Sequence, residues 1–586
     1  MTGMTRLTVL ALAAGVLSSV SPAQRASEHS AATHDHSPQQ NLAGFHTGHS
    51  MRAMLMASAA VVQVDTPASV PLYEGLSKLS FPITTANPAA QRYFDQGMGF
   101  AYGFNHAGAI ASFREAQRLD PQCAMCWWGE AFAHGPNINA PMDPATNARA
   151  VGAAVYANWL ARAATPVERA LTAAMVKRYS LDPKTDRAAL DAAFADGMLA
   201  EAASHPEHDD LALIAAEAAM DTRPWDYWDA QKAPNPRIGE AVKLVETVLS
   251  RSPKHPQATH LYIHLMENGP DPKRAEVAAD TLNGSLAPAS GHLVHMPAHI
   301  YYRLGRWQDS IKTNVAATRA DEEWIKASGD KGMVRYGYYP HNVHFIVTSA
   351  QMSGEMPVVM RESRKLASIL DPKVSSQIGW IQAVNAAPYF AAAQYASPTQ
   401  ILAMRPVDSR LPYPNAMRHY ARAIAYANQR DRIGFNREIG KLHAMQKAGD
   451  FKIMIEQGVP ANELLQLAET MARARWAYAG RNYDGAADLY REAVGIEGKI
   501  NYMEPPWWYY PVHQSLGAAL YRAGKYEEAR DAFARALEQS PNNGWALYGL
   551  ATAERSLGRK EQAAAANVDL KKAWSGDPRW LKMDRL

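Results

Sequence analysis

An all-α protein built from stacked helix pairs, arranged as a solenoid, is the fold class that the sequence predicts. Small and aromatic residues recur with a period of about 34 residues. The frame that begins at Ala90 returns from Tyr510, close to the carboxyl end. Strand signals are sparse, so no sheet is expected. The 586 residues exceed what one compact core usually holds, which also favours an array of repeats.

The amino terminus has the features of a cleaved signal peptide. Arg6 precedes an apolar run over residues 7–20, and small residues end at Ala23, where a signal peptidase would cut. The run is too short to span a bilayer, and no later stretch reaches about 18 apolar residues. We therefore expect a periplasmic or secreted protein with no membrane span. An uncleaved anchor is the alternative.

Residues 24–85 form a polar segment without a sustained apolar face, which predicts disorder. The segment contains His29, His34, His36, His46 and His49. Histidine-rich tracts can bind metal loosely. A soluble tether is an equally good interpretation.

The repeated pattern combines small residues, which let two helices approach, with aromatic residues that fill the gap to the next pair. In the first unit these are Tyr93, Gly97, Phe100, Ala109, Phe113, Ala116 and Pro121. Near the carboxyl end they are Gly517, Leu520, Gly524, Tyr526, Ala529, Phe533, Ala536 and Pro541. The pattern resembles the tetratricopeptide repeat family. This resemblance implies a superhelical solenoid of the tetratricopeptide type.

The predicted organisation has five parts. They are a signal peptide (1–23), a histidine-rich disordered segment (24–85), an amino-terminal repeat array (86–369), a proline-containing connector (370–415) and a carboxy-terminal repeat array (416–586). Segments 123–129 and 504–511 resemble those of exported bacterial tetratricopeptide repeat proteins with no established activity. That resemblance implies a fold and not a function.

Seven of the 20 histidines fall between Ala258 and His344. They are His260, His264, His292, His295, His299, His341 and His344. In the family that the chain resembles, the second, fifth, ninth and twelfth positions of each first helix line a concave groove. Applied to this chain, the resemblance implies that all seven histidines face the groove, together with Glu267 and Tyr302.

This clustering predicts a transition-metal site, because imidazole suits copper, zinc and iron. We expect His260, His264, His295 and His299 to form a four-nitrogen cage, since each pair is one helical turn apart. The remaining residues of the stretch would be further ligands or support the cage: His292, His341, His344 and Glu267. Whether the site is catalytic stays open, and His260-x-x-x-His264 lacks the glutamate of a His-Glu-x-x-His peptidase.

The alternative function is a metal-free scaffold whose groove binds a peptide or a partner protein. Additional groove candidates lie outside the histidine stretch: His134, Asn137, Asn139, Glu504 and Trp507. For some of these, packing or a helix stop is the simpler explanation.

Cys123 and Cys126 are the only cysteines. In an oxidising compartment they predict a possible local disulfide. A soft-metal site together with Met125 is a second possibility, because thiolate and thioether ligands suit Cu(I).

Several function classes are disfavoured. The net charge of +3 includes no long basic block, so no nucleic-acid partner is expected. The sequence also lacks a glycine-rich phosphate loop and a Gly-x-Ser-x-Gly motif, which disfavours nucleotide chemistry and serine hydrolysis.

Overall fold

The computed structural model describes residues 71–76, 80–449 and 451–586. These residues contain helices and two isolated β-bridges but no strand, so the all-α prediction is confirmed. No helix in this part of the chain is long and apolar enough to cross a bilayer. The predicted signal peptide and the histidines of the segment that follows it lie outside the described residues.

The first half of the fold is a succession of helices joined by turns and by one long loop, residues 222–237. These are α1 (Pro88–Tyr102), α2 (His106–Leu119), α3 (Ala124–His134), α4 (Asn147–Leu160), α5 (Pro166–Val176), α6 (Arg187–Ser204), α7 (Asp209–Asp221), α8 (Ile238–Arg251), α9 (Pro256–Glu267), α10 (Glu276–Leu282), α11 (Gly291–His295), α12 (Pro297–Leu304), α13 (Trp307–Ser328) and α14 (Tyr339–Ser353). A π-helical turn, Val334–Tyr338, precedes α14. Consecutive helices pack against each other, as the repeat pattern predicts.

The second half continues in the same manner. Its helices are α15 (Met356–Ile369), α16 (Pro372–Ser375), α17 (Gly379–Val384), α18 (Ala387–Tyr395), α19 (Pro398–Ala403), α20 (Pro412–Gln429), α21 (Arg432–Ala448), α22 (Lys452–Glu456), α23 (Ala461–Ala479), α24 (Tyr483–Glu497), α25 (Val512–Arg522), α26 (Tyr526–Gln539), α27 (Gly544–Ser556) and α28 (Lys560–Ala573). The predicted connector therefore contains the short helices α16 to α19.

Aromatic residues of the repeat lie against glycines, as the pattern requires. The ring of Phe113 is buried so close to Gly97 and Gly129 that a Cβ built on either glycine would lie within 2.5 Å of it. Phe533 contacts Gly517 in the same way, with a corresponding distance of 2.7 Å. These close approaches are possible only because glycine has no side chain.

Two apolar cores hold the helices together. One is built by residues between 76 and 338, and the other by residues between 311 and 586. Residues of the predicted connector, among them Phe390 and Tyr395, belong to the second core.

The carboxy-terminal repeats return to contact the middle of the chain. Nε1 of Trp307 donates a hydrogen bond of 2.9 Å to the carbonyl oxygen of Asn542. The backbone N–H of Ser575 donates to the carbonyl of Ser353, also at 2.9 Å. In a simple solenoid each repeat contacts only its neighbours. This chain adds long-range contacts, and they cover its central helices.

The described part of the segment predicted to be disordered is ordered. The backbone N–H of Phe81 donates to Oδ1 of Asp95 at 3.1 Å. The Phe81 ring is buried, with its centroid 5.8 Å from that of Phe94. Residues 71–76 and 80–85 are therefore part of the amino-terminal packing, because this stretch supplies an apolar side chain that α1 can bury.

Two glycine-to-alanine substitutions test the helix packing. We expect Gly97→Ala to destabilise the protein by about 1–3 kcal/mol, because its Cβ would overlap the Phe113 ring. Gly152→Ala, in an exposed part of α4 with no atom within 4 Å of the added Cβ, should stabilise by about 0.4–1 kcal/mol. The midpoint of thermal unfolding measures both effects. Equal shifts in the two variants would contradict this packing.

Candidate metal centre

Helices α9, α11, α12 and α14 bring together all seven histidines of the predicted cluster. His260 and His264 lie one turn apart on α9, which places both on one face. Six of the seven are buried and His341 is half-buried. The groove resemblance predicted a surface position for these side chains. The structure instead encloses them, because loops and the carboxy-terminal repeats cover this part of the chain.

Three of the histidines form what we call the first triad: His260, His264 and His292. One ring nitrogen from each lies within 4.8 Å of the others. Nε2 of His260 is 3.1 Å from Nε2 of His292. Nε2 of His264 is buried and has no hydrogen-bond partner among the described residues.

The second triad comprises His295, His299 and His341, whose ring nitrogens also lie within 4.8 Å of one another. Nε2 of His295 is 2.8 Å from Nε2 of His299. The two triads are neighbours, since the ring centroids of His264 and His299 are 6.1 Å apart. The predicted four-nitrogen cage is therefore replaced by two groups of three.

An amide orients one histidine of the first triad. Nδ1 of His260 lies 3.0 Å from Oε1 of Gln257. Nε2 of the same Gln257 amide donates to Oε2 of Glu217 at 2.9 Å, which fixes the amide oxygen toward His260. Nδ1 of His260 is then the donor, and the lone pair of Nε2 points into the triad.

An amide also orients one histidine of the second triad. Nδ1 of His295 lies 2.6 Å from Oδ1 of Asn314. Nδ2 of Asn314 donates to the carbonyl of Ser310 at 2.8 Å, so its amide oxygen faces the histidine. Nε2 of His295 consequently presents its lone pair to the triad.

Glu267 joins the two triads. Its Oε1 accepts a hydrogen bond of 2.9 Å from Nδ1 of His264, and its Oε2 lies 2.7 Å from Nδ1 of His299. Oε2 of Glu504 accepts from the same Nδ1 of His299 at 3.0 Å. Carboxylates that accept from one imidazole nitrogen orient the other nitrogen toward a ligand.

The electrostatic environments of the triads differ. Burial lowers the pKa of His260 to about 3 and also lowers the pKa values of His264 and His292, so the first triad is neutral at pH 7. Burial also disfavours charge on His299, but Glu267 and Glu504 outweigh it and raise its pKa to about 10. A proton on His299 can therefore lie between the two facing Nε2 atoms of the second triad.

Aromatic side chains cover the first triad. The Phe104 ring, between α1 and α2, has its centroid 4.7 Å from that of His260. The Trp225 ring meets the His264 ring edge-on, with centroids 5.2 Å apart, and the centroids of Tyr338 and His292 are 4.8 Å apart. Trp225 belongs to the long loop before α8. These rings exclude water from the histidines, which strengthens electrostatic interactions there.

Two predicted residues of the histidine stretch lie beside the triads. Nε2 of His344 lies 2.7 Å from the hydroxyl of Tyr509 and is not part of either group. Tyr302 packs on Phe345, with ring centroids 5.6 Å apart. Phe345 itself contacts His295, so Tyr302 supports the second triad only through packing.

The aromatic–proline segment contributes one residue to the centre. Glu504 reaches His299, whereas Nε1 of Trp507 donates to Oδ1 of Asn501 at 3.0 Å. Both residues also line a cavity of about 160 Å³ beside Tyr502.

The remaining groove candidates do not contact the triads. Nε2 of His134 lies 3.7 Å from Oε1 of Glu130, and Nδ2 of Asn137 lies 2.9 Å from Nε2 of His106. The backbone N–H of Asn139 donates to Oδ1 of Asn137. His134 and Asn137 line a cavity of about 110 Å³ whose wall includes Phe104 and Tyr338.

The two cysteines pair with each other. Cys123 and Cys126 form a disulfide at the start of α3. The cysteines are remote in sequence from the histidine stretch and appear in none of the candidate metal groups of the described residues.

Sequence reasoning missed several supporting residues. Asn314 lies on α13 without any distinguishing pattern. Phe104 lies in the turn between α1 and α2, where its φ of 54° is in the left-handed region, and no local pattern predicts this. Gln257 is three residues before His260 on α9, and this spacing could have identified it as an acceptor for that histidine.

A family model described as tetratricopeptide repeat matches residues 520–583. No curated protein matches the chain. The match includes α26, α27 and α28, where the repeated small and aromatic residues were recognised in the sequence.

Solved structures with some likeness include the human IFIT1 dimer with m7Gppp-AAAA, at 11% identity and a TM-score of 0.26. That alignment covers 84% of this chain and 91% of the other. Yeast Tom70 has 10% identity and a TM-score of 0.26, with 84% and 94% of the two chains covered. With TM-scores this low, these structures say nothing about the histidine centre.

Proposed function

We propose that this chain, whose residues 520–583 match the tetratricopeptide repeat model, is an exported metalloprotein with one transition-metal ion in each histidine triad. Its export follows from the signal-peptide pattern of residues 1–23. The ligands would be His260, His264 and His292 in the first triad and His295, His299 and His341 in the second.

The observation that carries this proposal is the set of hydrogen bonds at the Nδ1 atoms. In four of the six histidines Nδ1 meets an oxygen of Gln257, Glu267, Asn314 or Glu504. The Nε2 lone pairs of His260, His264 and His295 then point into the triads, and that of His299 does so once a metal displaces the proton on this histidine. Metal-binding histidines usually have this arrangement, in which the second nitrogen donates to an amide or carboxylate.

Hydrogen bonds among its own members cannot satisfy all the ring nitrogens of the first triad. His260 and His264 both present Nε2 lone pairs, and the neutral His292 has a single N–H to offer. One buried acceptor would remain without a donor, which costs about 1–3 kcal/mol. A metal cation would accept electron density from all three nitrogens at once.

The all-imidazole ligand sets suit copper, zinc or iron. Three protein ligands with an open position are typical of catalytic rather than structural sites, and a bound metal there can act as a Lewis acid or redox centre. The protein's own contribution is to orient the imidazoles through Gln257, Asn314 and Glu267 and to exclude water with Phe104 and Trp225.

A second candidate function is a metal-free scaffold that binds a peptide or protein. The tetratricopeptide repeats at residues 520–583 favour it, because such repeats commonly bind peptides or proteins. In that case the histidines and their partners form a buried polar network that stabilises the middle of the fold. Metal content separates the two candidates.

Metal analysis of histidine variants tests the proposal directly. We expect about two ions per chain in protein purified without an affinity tag, and the loss of about one ion in His264→Ala and in His299→Ala, which lie in different triads. His443→Ala, with a side chain that is 65% exposed, is the matched control and should keep both ions. Elemental analysis by mass spectrometry measures the content.

Removal of residues 24–65 completes this experiment. The truncated chain should keep its metal. If it loses the metal while both triad variants retain it, the histidine-rich segment is the binding site and the proposal is wrong. A chain that takes up no metal after reconstitution supports the scaffold function.

The orienting hydrogen bonds provide a second test. Asn314→Leu removes the acceptor of His295, and we expect the second triad to lose about 10–100-fold in metal affinity while the first is unchanged. Asn567→Leu is a matched control, because Nδ2 of Asn567 also donates to the carbonyl four residues earlier but is far in sequence from the triads. Competition with a chromogenic chelator measures the metal affinities of both variants. An equal loss of affinity in Asn314→Leu and Asn567→Leu would show that Asn314 does not orient His295 for metal binding.

Export has its own test. In a bacterial host we expect the mature chain to begin at Gln24, as measured by the intact mass of protein from the periplasm or medium. Leu10→Arg interrupts the apolar run and should leave full-length protein in the cytoplasm. Exported protein that still begins at Met1 would contradict cleavage.

A further inference from the structure

The carboxy-terminal half contains a cavity of about 440 Å³ that is separate in its chemistry from the histidine triads. Its volume falls in the range of about 300–1,000 Å³ that is typical of small-molecule sites. The cavity lies among helices α18, α20, α23 and α24 and the segment that precedes α25.

Aromatic side chains form one part of the wall. Four tyrosines line the cavity, namely Tyr420, Tyr490, Tyr509 and Tyr510. Phe390 joins them, with its ring centroid 4.6 Å from that of Tyr509. Such a wall offers flat apolar faces for stacking and hydroxyl groups at their edges, which suits an aromatic ligand.

Three cationic side chains form another part: Arg475, Lys582 and Arg585. None of the three makes an ion pair with a carboxylate of the described residues, as Arg475 donates to Oδ1 of Asn428 and to the backbone carbonyl of Asp584. Burial lowers the pKa of Arg585, and the neighbouring charge of Arg475 lowers it further. Arg475 is half-buried and Arg585 is exposed, and neither has an ion-pair partner among the described residues.

The carboxylate of Asp584 also lines the cavity, but it is paired with a residue outside it. Oδ1 of Asp584 accepts from the guanidinium of Arg522, a residue that is not part of the cavity lining, at 2.8 Å. A bound anion would remove the mutual repulsion of the cavity's cations.

We propose that this cavity binds a small aromatic carboxylate, with the ring against the tyrosines and the carboxylate at Arg475, Lys582 and Arg585. This site goes beyond the metal centre and requires no metal. It is linked to the histidine stretch, because the hydroxyl of Tyr509 lies 2.7 Å from Nε2 of His344.

The test uses naphthalene-2-carboxylate as the probe and naphthalene-2-carboxamide as its uncharged isostere. Isothermal titration calorimetry on the full chain should give at least about tenfold tighter binding of the carboxylate. Lys582→Gln should reduce this preference several-fold, and Arg475→Gln should reduce it by about tenfold, with little effect on the amide. Lys560→Gln, an exposed lysine at the start of α28, should behave as the unaltered protein.

The Lys582→Gln variant tests the site even if Arg475→Gln folds poorly. Lys582 is exposed and its side chain makes no hydrogen bond or ion pair with a described residue, so its substitution should leave the melting temperature unchanged. Equal affinity for carboxylate and amide, or no saturable binding of either, would overturn the proposal. So would an unchanged preference in Lys582→Gln and in a folded Arg475→Gln.

Discussion

The enclosure of seven imidazoles, six of them buried and one half-buried, is the constraint on which the rest of this structure depends. A buried polar ring needs hydrogen-bond partners. The fold supplies oxygens both from the same helix, as Gln257 does for His260, and from as far away in sequence as Glu504. Glu267 serves His264 and lies beside His299, while Glu504 reaches His299 across 205 residues. The arrangement of α9, α11, α12 and the returning carboxy-terminal segment therefore has to satisfy one common hydrogen-bond network.

Closure of the repeat array meets this requirement. An open solenoid would leave the histidines on a wet concave surface, where each ring could bond to water. Here the contact of Trp307 with Asn542 and that of Ser353 with Ser575 hold the last repeats over the middle ones. Phe104 and Trp225 then close the other sides. The repeats thus act as walls of an interior site.

Some of the centre could be predicted from the sequence. The four-residue spacing of His260 and His264 places both on one face of a helix, and the structure keeps them together. The same rule paired His295 with His299, which also holds. It could not show that His292 joins α9 whereas His295 turns toward His341, because this division depends on the rotation of α11 and the break before Pro297.

By itself, the sequence determined the helical repeats, the close approach of Phe113 to Gly97 and the concentration of imidazole in the middle of the chain. These features depend on spacings within one or two helices, which local periodicity encodes. Only the tertiary structure decided the burial of the histidines, their division into two triads and the role of Glu504. Those outcomes require contacts between residues that are 32 positions apart, as His260 and His292 are, or as many as 205, as His299 and Glu504 are. No local pattern specifies which distant surfaces will meet.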